Sequence, residues 1–191
     1  MLLIKHRVNT VQDVSTVPAV QGIEVDIRDN GREICCSHDP FSGGEALRDV
    51  LAGFGHALAI FNVKADGLEQ PIIRLAQELG IDSYFFLDCA TPTLVGLVRR
   101  GFTKVAVRYS EHEPIEFALA FAGKADWVWV DCFSSFPLTA LSYQQLRPYF
   151  KICVVSPELQ GHPRQRIGEF RQLLLELPVD AVCTDFPEDW A

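Results

Sequence analysis

Eight short apolar segments rich in β-branched and aromatic residues recur along the chain, and stretches with the helical spacing of apolar residues separate them. This alternation predicts a parallel sheet, because neighbouring parallel strands need a crossover connection that is usually a helix. Eight is also the number of strands in a (β/α)₈ (TIM) barrel. The predicted strands are 2–6, 22–27, 57–64, 84–89, 104–109, 127–132, 152–156 and 181–184.

The length of the chain predicts a compact form of this α/β fold. Dividing 191 residues by eight leaves about 24 residues for each strand–helix unit, whereas a typical barrel has roughly 250 residues in all. We therefore expect a single barrel domain over 1–191 with short loops. The alternative is an open doubly wound sheet, which usually carries a glycine-rich phosphate loop after its first strand. The segment KHRVNT stands in that place and favours the barrel.

The connections follow the same pattern. An Asn30-Gly31 pair within RDNGREICCSHD predicts a β-hairpin turn after the second strand. A weaker helix is expected over 11–21, where Pro18 interrupts the pattern. The other predicted helices are 43–54, 67–80, 91–101, 113–123, 138–150 and 163–177.

Charge and composition exclude several classes of partner. The formal net charge of −8 disfavours nucleic acid and anionic lipid, so an anionic small substrate requires local positive charge or a metal ion. No apolar stretch approaches the ~20 residues of a membrane span, and MLLIKHRVNT does not resemble a signal peptide. We expect a cytoplasmic protein without stable membrane insertion. The six cysteines lack a C-x-x-C pair and lie mostly in apolar runs, which predicts buried reduced thiols. The oligomeric state is left open.

Polar side chains mark the carboxyl ends of the predicted strands. In a barrel of this type the active site lies at that end of the sheet, so charged or ionisable residues at nearly every strand end predict a functional site. These residues are His6, Arg7, Glu24, Asp26, Asn62, Lys64, Asp88, Arg108, Asp131, Ser156 and Glu158.

Glu24 and Asp26 are the most informative pair. Their i, i+2 spacing places both carboxylates on one face of a strand, where like charges need a cation. Hard oxygen ligands favour Mg²⁺ or Ca²⁺ over zinc. His38 follows the predicted hairpin and can reach the same end of the sheet as His6. Two histidines, a divalent ion and nearby cations suit general acid–base cleavage of a phosphodiester.

The segments IKHRVNT, GIEVDIRDNGREICCSHDP, FNVKADG and VDAVCTDFPED resemble the glycerophosphodiester phosphodiesterase family, from His6 to Asp189 and in the same order. That family belongs to the wider group of phosphodiesterases that includes phosphatidylinositol-specific phospholipase C. The resemblance implies an acid–base pair, metal ligands and phosphate-binding cations. In this chain these are His6 and His38, then Glu24 and Asp26, then Arg7 and Lys64.

The chain departs from the family pattern at two places. The family's strand-three motif is E-x-K, with the Glu as a further metal ligand, whereas this chain has Asn62 and Lys64. An Asn oxygen still coordinates Mg²⁺ or Ca²⁺ without adding charge, so Asn62 is expected as the third ligand. The family also carries an insertion after H-D-P that shapes the glycerol-side pocket, and this chain has only FSGGEALRDVLAG. The leaving group is therefore left open.

Several of these residues also have a purely structural interpretation. His38-Asp39-Pro40 can be a simple turn, and His6 can be a core histidine. A further group of strand-end residues can line a pocket or form ion pairs, and Arg108 is expected to bind the phosphate because an anion needs a cation. This group comprises Asp88, Arg108, Asp131 and Glu158.

Three functions follow from these residues. The first is metal-dependent hydrolysis of a small or lipid-derived phosphodiester, with either water or a substrate hydroxyl as the nucleophile. The second is a non-catalytic or regulatory barrel that binds a phosphorylated ligand, because Asn62 replaces an acidic ligand and the insertion after H-D-P is missing. The third is a lyase that forms a Schiff base through Lys64.

Overall fold

The structure is a computed structural model that describes residues 1–191. Its contacts group into two compact units, which are described separately. The first comprises Lys5–Gly96, and the second comprises Met1–Ile4 with Leu97–Ala191. The chain passes from one unit to the other twice, between Ile4 and Lys5 and between Gly96 and Leu97. A single domain over 1–191 stays a prediction.

The Lys5–Gly96 unit is built on three parallel strands extended by an antiparallel hairpin. Strand β2 pairs in parallel with β5, β5 pairs in parallel with β6, and β3 and β4 add to β2 in antiparallel order. The elements of this unit are α1 (Val11–Thr16), β2 (Gly22–Asp29), β3 (Ile34–Cys36), β4 (Glu45–Ala46), α2 (Leu47–Ala52), β5 (Leu58–Val63), α3 (Glu69–Glu78) and β6 (Tyr84–Leu87). Helix α4 (Thr91–Arg99) follows and crosses the boundary between the units.

The second unit repeats the strand–helix alternation. Its strands β7, β8, β9 and β10 pair in parallel in that order, and β1 lies next to β10. A 3₁₀ helix, Pro157–Gln160, follows β9. The other elements are β1 (Leu2–Lys5), β7 (Ala106–Tyr109), α5 (Ile115–Leu119), β8 (Trp127–Val130), α6 (Ala140–Leu146), β9 (Lys151–Val155), α7 (Arg166–Glu176), β10 (Ala181–Thr184) and α8 (Pro187–Trp190).

All eight predicted strands are present, and the hairpin forms at the predicted turn. Gly31 adopts a positive φ of 80°, and the Asn30 side-chain oxygen accepts the backbone N–H groups of Arg32 and Glu33. Asn and Gly favour this turn because both tolerate the left-handed backbone that it requires.

The helix predicted over 43–54 is partly wrong. Residues Glu45 and Ala46 form the short strand β4, because they pair with Cys36 and Cys35, and α2 begins only at Leu47. Helix α1 is also shorter than predicted and ends at Thr16, two residues before Pro18. Proline lacks the N–H that a continuing helix needs, which accounts for this early end.

The strands form the core of both units. Phe61, Phe85 and Phe86 are fully buried in β5 and β6, as expected for parallel strands covered on both faces. All six cysteines are free, and five of them are buried. Burial raises the pKa of the Cys36, Cys132 and Cys153 thiols, which suits packing rather than reaction. No helix combines the length and apolar character that crossing a membrane requires.

Gly44 provides a test of how the loop after β3 is held. A Cβ at this position would lie 2.0 Å from the Cys36 carbonyl oxygen, whereas a Cβ at Gly43 would meet nothing within 4 Å. We expect Gly44→Ala to lower the free energy of unfolding by about 1–3 kcal/mol, because the strand pairing must shift to make room. Gly43→Ala is the matched control and should change it by less than about 0.5 kcal/mol. Urea unfolding of both variants measures the difference, and equal effects would contradict this account of the loop.

Candidate active site

The site begins with two buried carboxylates on β2. Glu24 and Asp26 are 1% and 0% exposed, and their i, i+2 spacing places them on one face of the strand. Asp26 is directly paired with Asn62 on the neighbouring strand β5. The register therefore brings the Asn62 side chain, also buried, against both carboxylates.

Every oxygen of the two carboxylates has a partner. Glu24 Oε1 accepts from Asn62 Nδ2 at 2.7 Å, and Glu24 Oε2 accepts from the backbone N–H of Arg7 at 2.8 Å. Asp26 Oδ1 lies 3.4 Å from the same Asn62 nitrogen, and Asp26 Oδ2 accepts from Asn9 Nδ2 at 3.0 Å. One amide nitrogen thus bridges the pair.

The proximity of the carboxylates changes their electrostatics. Burial raises the pKa of Glu24, and the negative charge of Asp26 raises it further. The charge of His6, the Arg7 N–H and the Asn62 amide act in the opposite direction without cancelling the rise. Ionisation of Glu24 is therefore costly in this pair, and a bound cation would lower that cost.

Two basic side chains lie at the edge of this acidic pair. Lys64 Nζ is 3.5 Å from Asp26 Oδ1 and 3.3 Å from Asp88 Oδ2. Arg7 Nε is 4.0 Å from Asp26 Oδ2, and its side chain is half exposed. Arg7 can therefore turn a large part of its guanidinium toward a ligand while it remains close to Asp26. This arrangement suits the binding of an anion beside the carboxylates.

The two predicted acid–base residues differ in their surroundings. His6 lies close enough to Glu24 for its charge to lower the Glu24 pKa. His38 is partly exposed, and its Nδ1 lies 2.7 Å from Asp39 Oδ1. The hydrogen bond and the charge of His38 lower the pKa of Asp39. An ionised Asp39 only accepts hydrogen bonds, so Nδ1 carries a proton and Nε2 is left to exchange one with a ligand.

Two of the three strained non-glycine residues of the chain, Arg7 and Asp88, belong to this site. Arg7, Phe41 and Asp88 are the three non-glycine residues with positive φ, at 53°, 61° and 61°. The left-handed conformation costs such residues roughly 1–2 kcal/mol each. Arg7 uses it to present its N–H to Glu24, and Asp88 places its carboxylate beside Lys64. Strain of this kind persists where the surrounding structure requires it, often in functional sites.

The donor set fits a hard divalent cation, although no group of three His, Cys, Asp or Glu side chains is arranged to hold a metal. Glu24 Oε1 and Asp26 Oδ1 converge on a single hydrogen-bond donor, Asn62 Nδ2. The Asn62 oxygen is buried without a hydrogen-bond partner. Rotation of the amide would bring that oxygen to the point where the carboxylates converge, giving the three oxygen donors that Mg²⁺ and Ca²⁺ prefer.

The remaining predicted site residues lie in the second unit. The Arg108 guanidinium donates to Asp131, which is buried and also accepts from Trp129 Nε1 and Gln160 Nε2. Arg108 Nε is also 4.0 Å from Glu113. A phosphate-binding role for Arg108 and a pocket-lining role for Asp131 stay predictions.

Glu158 braces the segments that follow β9 and β10. Its carboxylate accepts from the hydroxyls of Ser156 and Thr184 and from the Asp185 N–H. Glu158 thus joins these two segments through hydrogen bonds, and a pocket-lining role stays a prediction.

Sequence reasoning missed two residues of the site. Asn9 donates to Asp26 and accepts the Asp26 backbone N–H, at 3.0 and 2.9 Å. Arg28 donates to the carbonyl oxygens of His38 and Lys64, both at 3.0 Å, and so joins the hairpin loop to the end of β5. Arg28 follows Asp26 by two residues, so it lies on the same face of β2 as Glu24 and Asp26. This spacing could have identified it from the sequence. Asn9 had no comparable signal.

Comparison with solved structures identifies the fold. The chain superposes on a glycerophosphodiester phosphodiesterase from Agrobacterium tumefaciens str. C58 with a TM-score of 0.72 and 13% identity, covering 99% of this chain and 98% of the other. The chain has the glycerophosphodiester phosphodiesterase fold. A glycerophosphoryl diester phosphodiesterase from Parabacteroides distasonis ATCC 8503 gives a TM-score of 0.68 at 12% identity, with 100% and 84% coverage.

A more distant neighbour is a mutant tryptophan synthase α-subunit from Pyrococcus furiosus, with a TM-score of 0.56 at 12% identity, covering 96% of this chain and 86% of the other. The predicted fold class, an α/β fold of the (β/α)₈ barrel type, is confirmed at this level. No protein-family model and no curated protein matches the sequence.

Asn62 gives a direct test of the metal assignment. We expect Asn62→Asp to tighten the binding of Mg²⁺ or Ca²⁺ by roughly tenfold or more, because a carboxylate adds one negative charge at the point where the donors converge. Calorimetric titration of both proteins measures the change. An unchanged dissociation constant in a folded Asn62→Asp variant would remove Asn62 from the coordination shell.

Proposed function

We propose that this protein is a metal-dependent phosphodiester hydrolase that acts on a small or lipid-derived phosphodiester. The observation that carries the proposal is the convergence of two buried carboxylates and one amide beside two basic side chains. Glu24, Asp26 and Asn62 would hold a divalent ion, Mg²⁺ or Ca²⁺. Arg7 and Lys64 would bind the phosphate oxygens. The shared fold with glycerophosphodiester phosphodiesterases supports this reaction class.

The two histidines supply the proton transfers. In hydrolysis, a nucleophile oxygen forms a bond to phosphorus while the bond from phosphorus to the leaving oxygen breaks. One imidazole accepts the proton of the nucleophile, and the other donates a proton to the leaving oxygen. The hydrogen bond from His38 to Asp39 orients its ring for this exchange. Water and a hydroxyl of the substrate are both open as the nucleophile.

A bound divalent ion would supply positive charge to a phosphoryl oxygen and favour ionisation of the attacking hydroxyl. Protein side chains would supply the remaining positive charge around the phosphate. Arg7 and Lys64 face the negative charge that develops on the phosphoryl oxygens, and Asp26 and Asp88 hold Lys64 in place for that role.

The contacts of Lys64 bear on the lyase hypothesis. A Schiff base requires a neutral amine with an available lone pair. Lys64 is only 18% exposed in its side chain and forms ion pairs with Asp26 and Asp88. These ion pairs engage the ammonium form, so they favour phosphate binding over a Schiff base.

Removal of metal is the first test of the hydrolase proposal. We expect EDTA to abolish hydrolysis of bis(p-nitrophenyl) phosphate and Mg²⁺ or Ca²⁺ to restore it, because the carboxylate pair would lose the cation that offsets its charge. Release of p-nitrophenol measures the rate. Full activity in excess EDTA would contradict metal dependence, and phosphate binding without turnover would favour the non-catalytic barrel.

The histidines allow a second test. We expect His6→Ala and His38→Ala each to lower kcat by roughly 10²-fold or more, the usual scale of general acid–base catalysis. His112→Ala is the control, since its ring lies against Phe133 in the other unit. Circular dichroism confirms that each variant is folded. Near wild-type turnover by His38→Ala on a substrate with a poor leaving group would contradict its acid–base role and leave His38-Asp39-Pro40 as a turn.

A further inference from the structure

The loop that follows β3 exposes a phenylalanine three residues after His38. Phe41 is fully exposed, at 108% of the reference accessibility, and its backbone is left-handed with φ of 61°. Leaving a Phe side chain in water forgoes roughly 1.5–3 kcal/mol of burial, and the left-handed backbone costs roughly 1–2 kcal/mol more. Both the exposure of the side chain and the conformation of the backbone at Phe41 are therefore unfavourable.

This loop is firmly held in its conformation. The Ser37 and Ser42 hydroxyls lie 2.6 Å apart, and both donate to the Asp39 carbonyl oxygen, at 3.0 and 2.6 Å. Gly44 packs so closely on the Cys36 carbonyl that only glycine fits there. The hydrogen bonds join residues on both sides of Phe41, and Gly44 fixes the path of the chain where the loop meets β4. The structure therefore maintains the exposure of Phe41 at a cost, which points to a ligand for its ring.

The position of the loop indicates which part of a ligand Phe41 would meet. Three residues span at most about 11 Å between Cα atoms, and the turn closed by Ser42 makes the actual separation from His38 shorter. The Phe41 Cα therefore lies at a distance from His38 that a phosphate and its ester group can span together. The ring offers apolar contact and no charge, so it matches an alkyl or aryl group.

We propose that Phe41 is a specificity-determining residue that binds an apolar alkyl or aryl group esterified to the phosphate of the substrate. This inference rests on the proposed hydrolase function and narrows its substrate class to diesters with an apolar ester group. Binding of the ring buries apolar surface on both partners, which makes affinity increase with the size of the group.

The charges around Phe41 favour a dissolved substrate over a lipid surface. Asp39 on this loop and Glu45 at the start of β4 are both exposed, and the chain carries a net charge of −8. An anionic lipid surface would be repelled. One aromatic ring also provides little of the apolar area that stable surface binding needs. A single substrate molecule, by contrast, needs only one apolar contact beside its phosphate.

The test is a series of non-hydrolysable methyl to hexyl phosphonate esters, used as monomers, with dissociation constants measured by calorimetry. Three variants accompany the wild type. Phe41→Asn removes the ring but tolerates the left-handed backbone, Phe41→Leu keeps an apolar side chain, and Val20→Ser removes an exposed apolar residue, 81% accessible, in the turn before β2. Values of kcat/KM for the matching hydrolysable diesters form the second readout.

We expect wild-type affinity to increase roughly tenfold from the methyl to the hexyl ester, a fraction of the full transfer of five methylenes. Phe41→Asn should abolish this increase while binding the methyl ester within twofold of wild type. Phe41→Leu should keep most of the increase, and Val20→Ser should keep all of it. The kcat/KM values should follow the same pattern.

Several results would overturn the proposal. An unchanged increase in Phe41→Asn would remove Phe41 from substrate binding, and an equal loss for every ester would assign it to positioning the His38 loop. An effect confined to substrate in phosphatidylcholine vesicles would assign it to a lipid surface. Binding of the methyl ester without any increase with chain length would overturn this inference alone. Failure to bind any ester would overturn the hydrolase proposal with it.

Discussion

The neutralisation of the Glu24–Asp26 pair is the interaction on which the rest of the site depends. Two carboxylates with almost no exposure lose their hydration and repel each other, and both effects raise the pKa of Glu24. The surrounding residues supply hydrogen-bond donors and positive charge that stabilise the two carboxylates. Asn62 bridges the pair, Asn9 bonds Asp26 in both directions, and Lys64 pairs with Asp26. These residues lie in β5, directly after β5 and in the segment after β1, so the carboxylates organise the strand ends around them.

The same requirement explains why the backbone is strained where it is. Arg7 adopts a left-handed conformation and donates its N–H to Glu24, while its side chain stays near Asp26. The hydrogen bond to a buried carboxylate is worth about 1.5–3 kcal/mol, which is enough to offset the conformational cost. No comparable hydrogen bond offsets the conformational cost at Phe41. In our proposal the strain at Arg7 therefore serves the fold, whereas the strain at Phe41 serves ligand binding.

The sequence predicted the main elements because they depend on local patterns. Strand positions follow from apolar runs, and the shared face of Glu24 and Asp26 follows from the two-residue period of a strand. The pairing of Asp26 with Asn62 did not follow, since register is set by contacts between segments far apart in the chain. The orientation of the Asn62 amide and the role of Asn9 depend on that register. Strand β4 was missed because its two residues are defined only by pairing with β3.

Arg28 joins the hairpin loop to the sheet through two backbone carbonyls, those of His38 and Lys64. Its hydrogen bonds do not depend on the side chains at positions 40–43, and the carboxylate pair is held by other residues. These four positions can therefore change in number or composition while Asp39 still orients His38 and the strand ends keep their arrangement. In evolutionary terms, selection for a new ester group can act on this short segment alone. The chemistry of phosphate cleavage and the choice of substrate would then diverge at separate rates within one small protein.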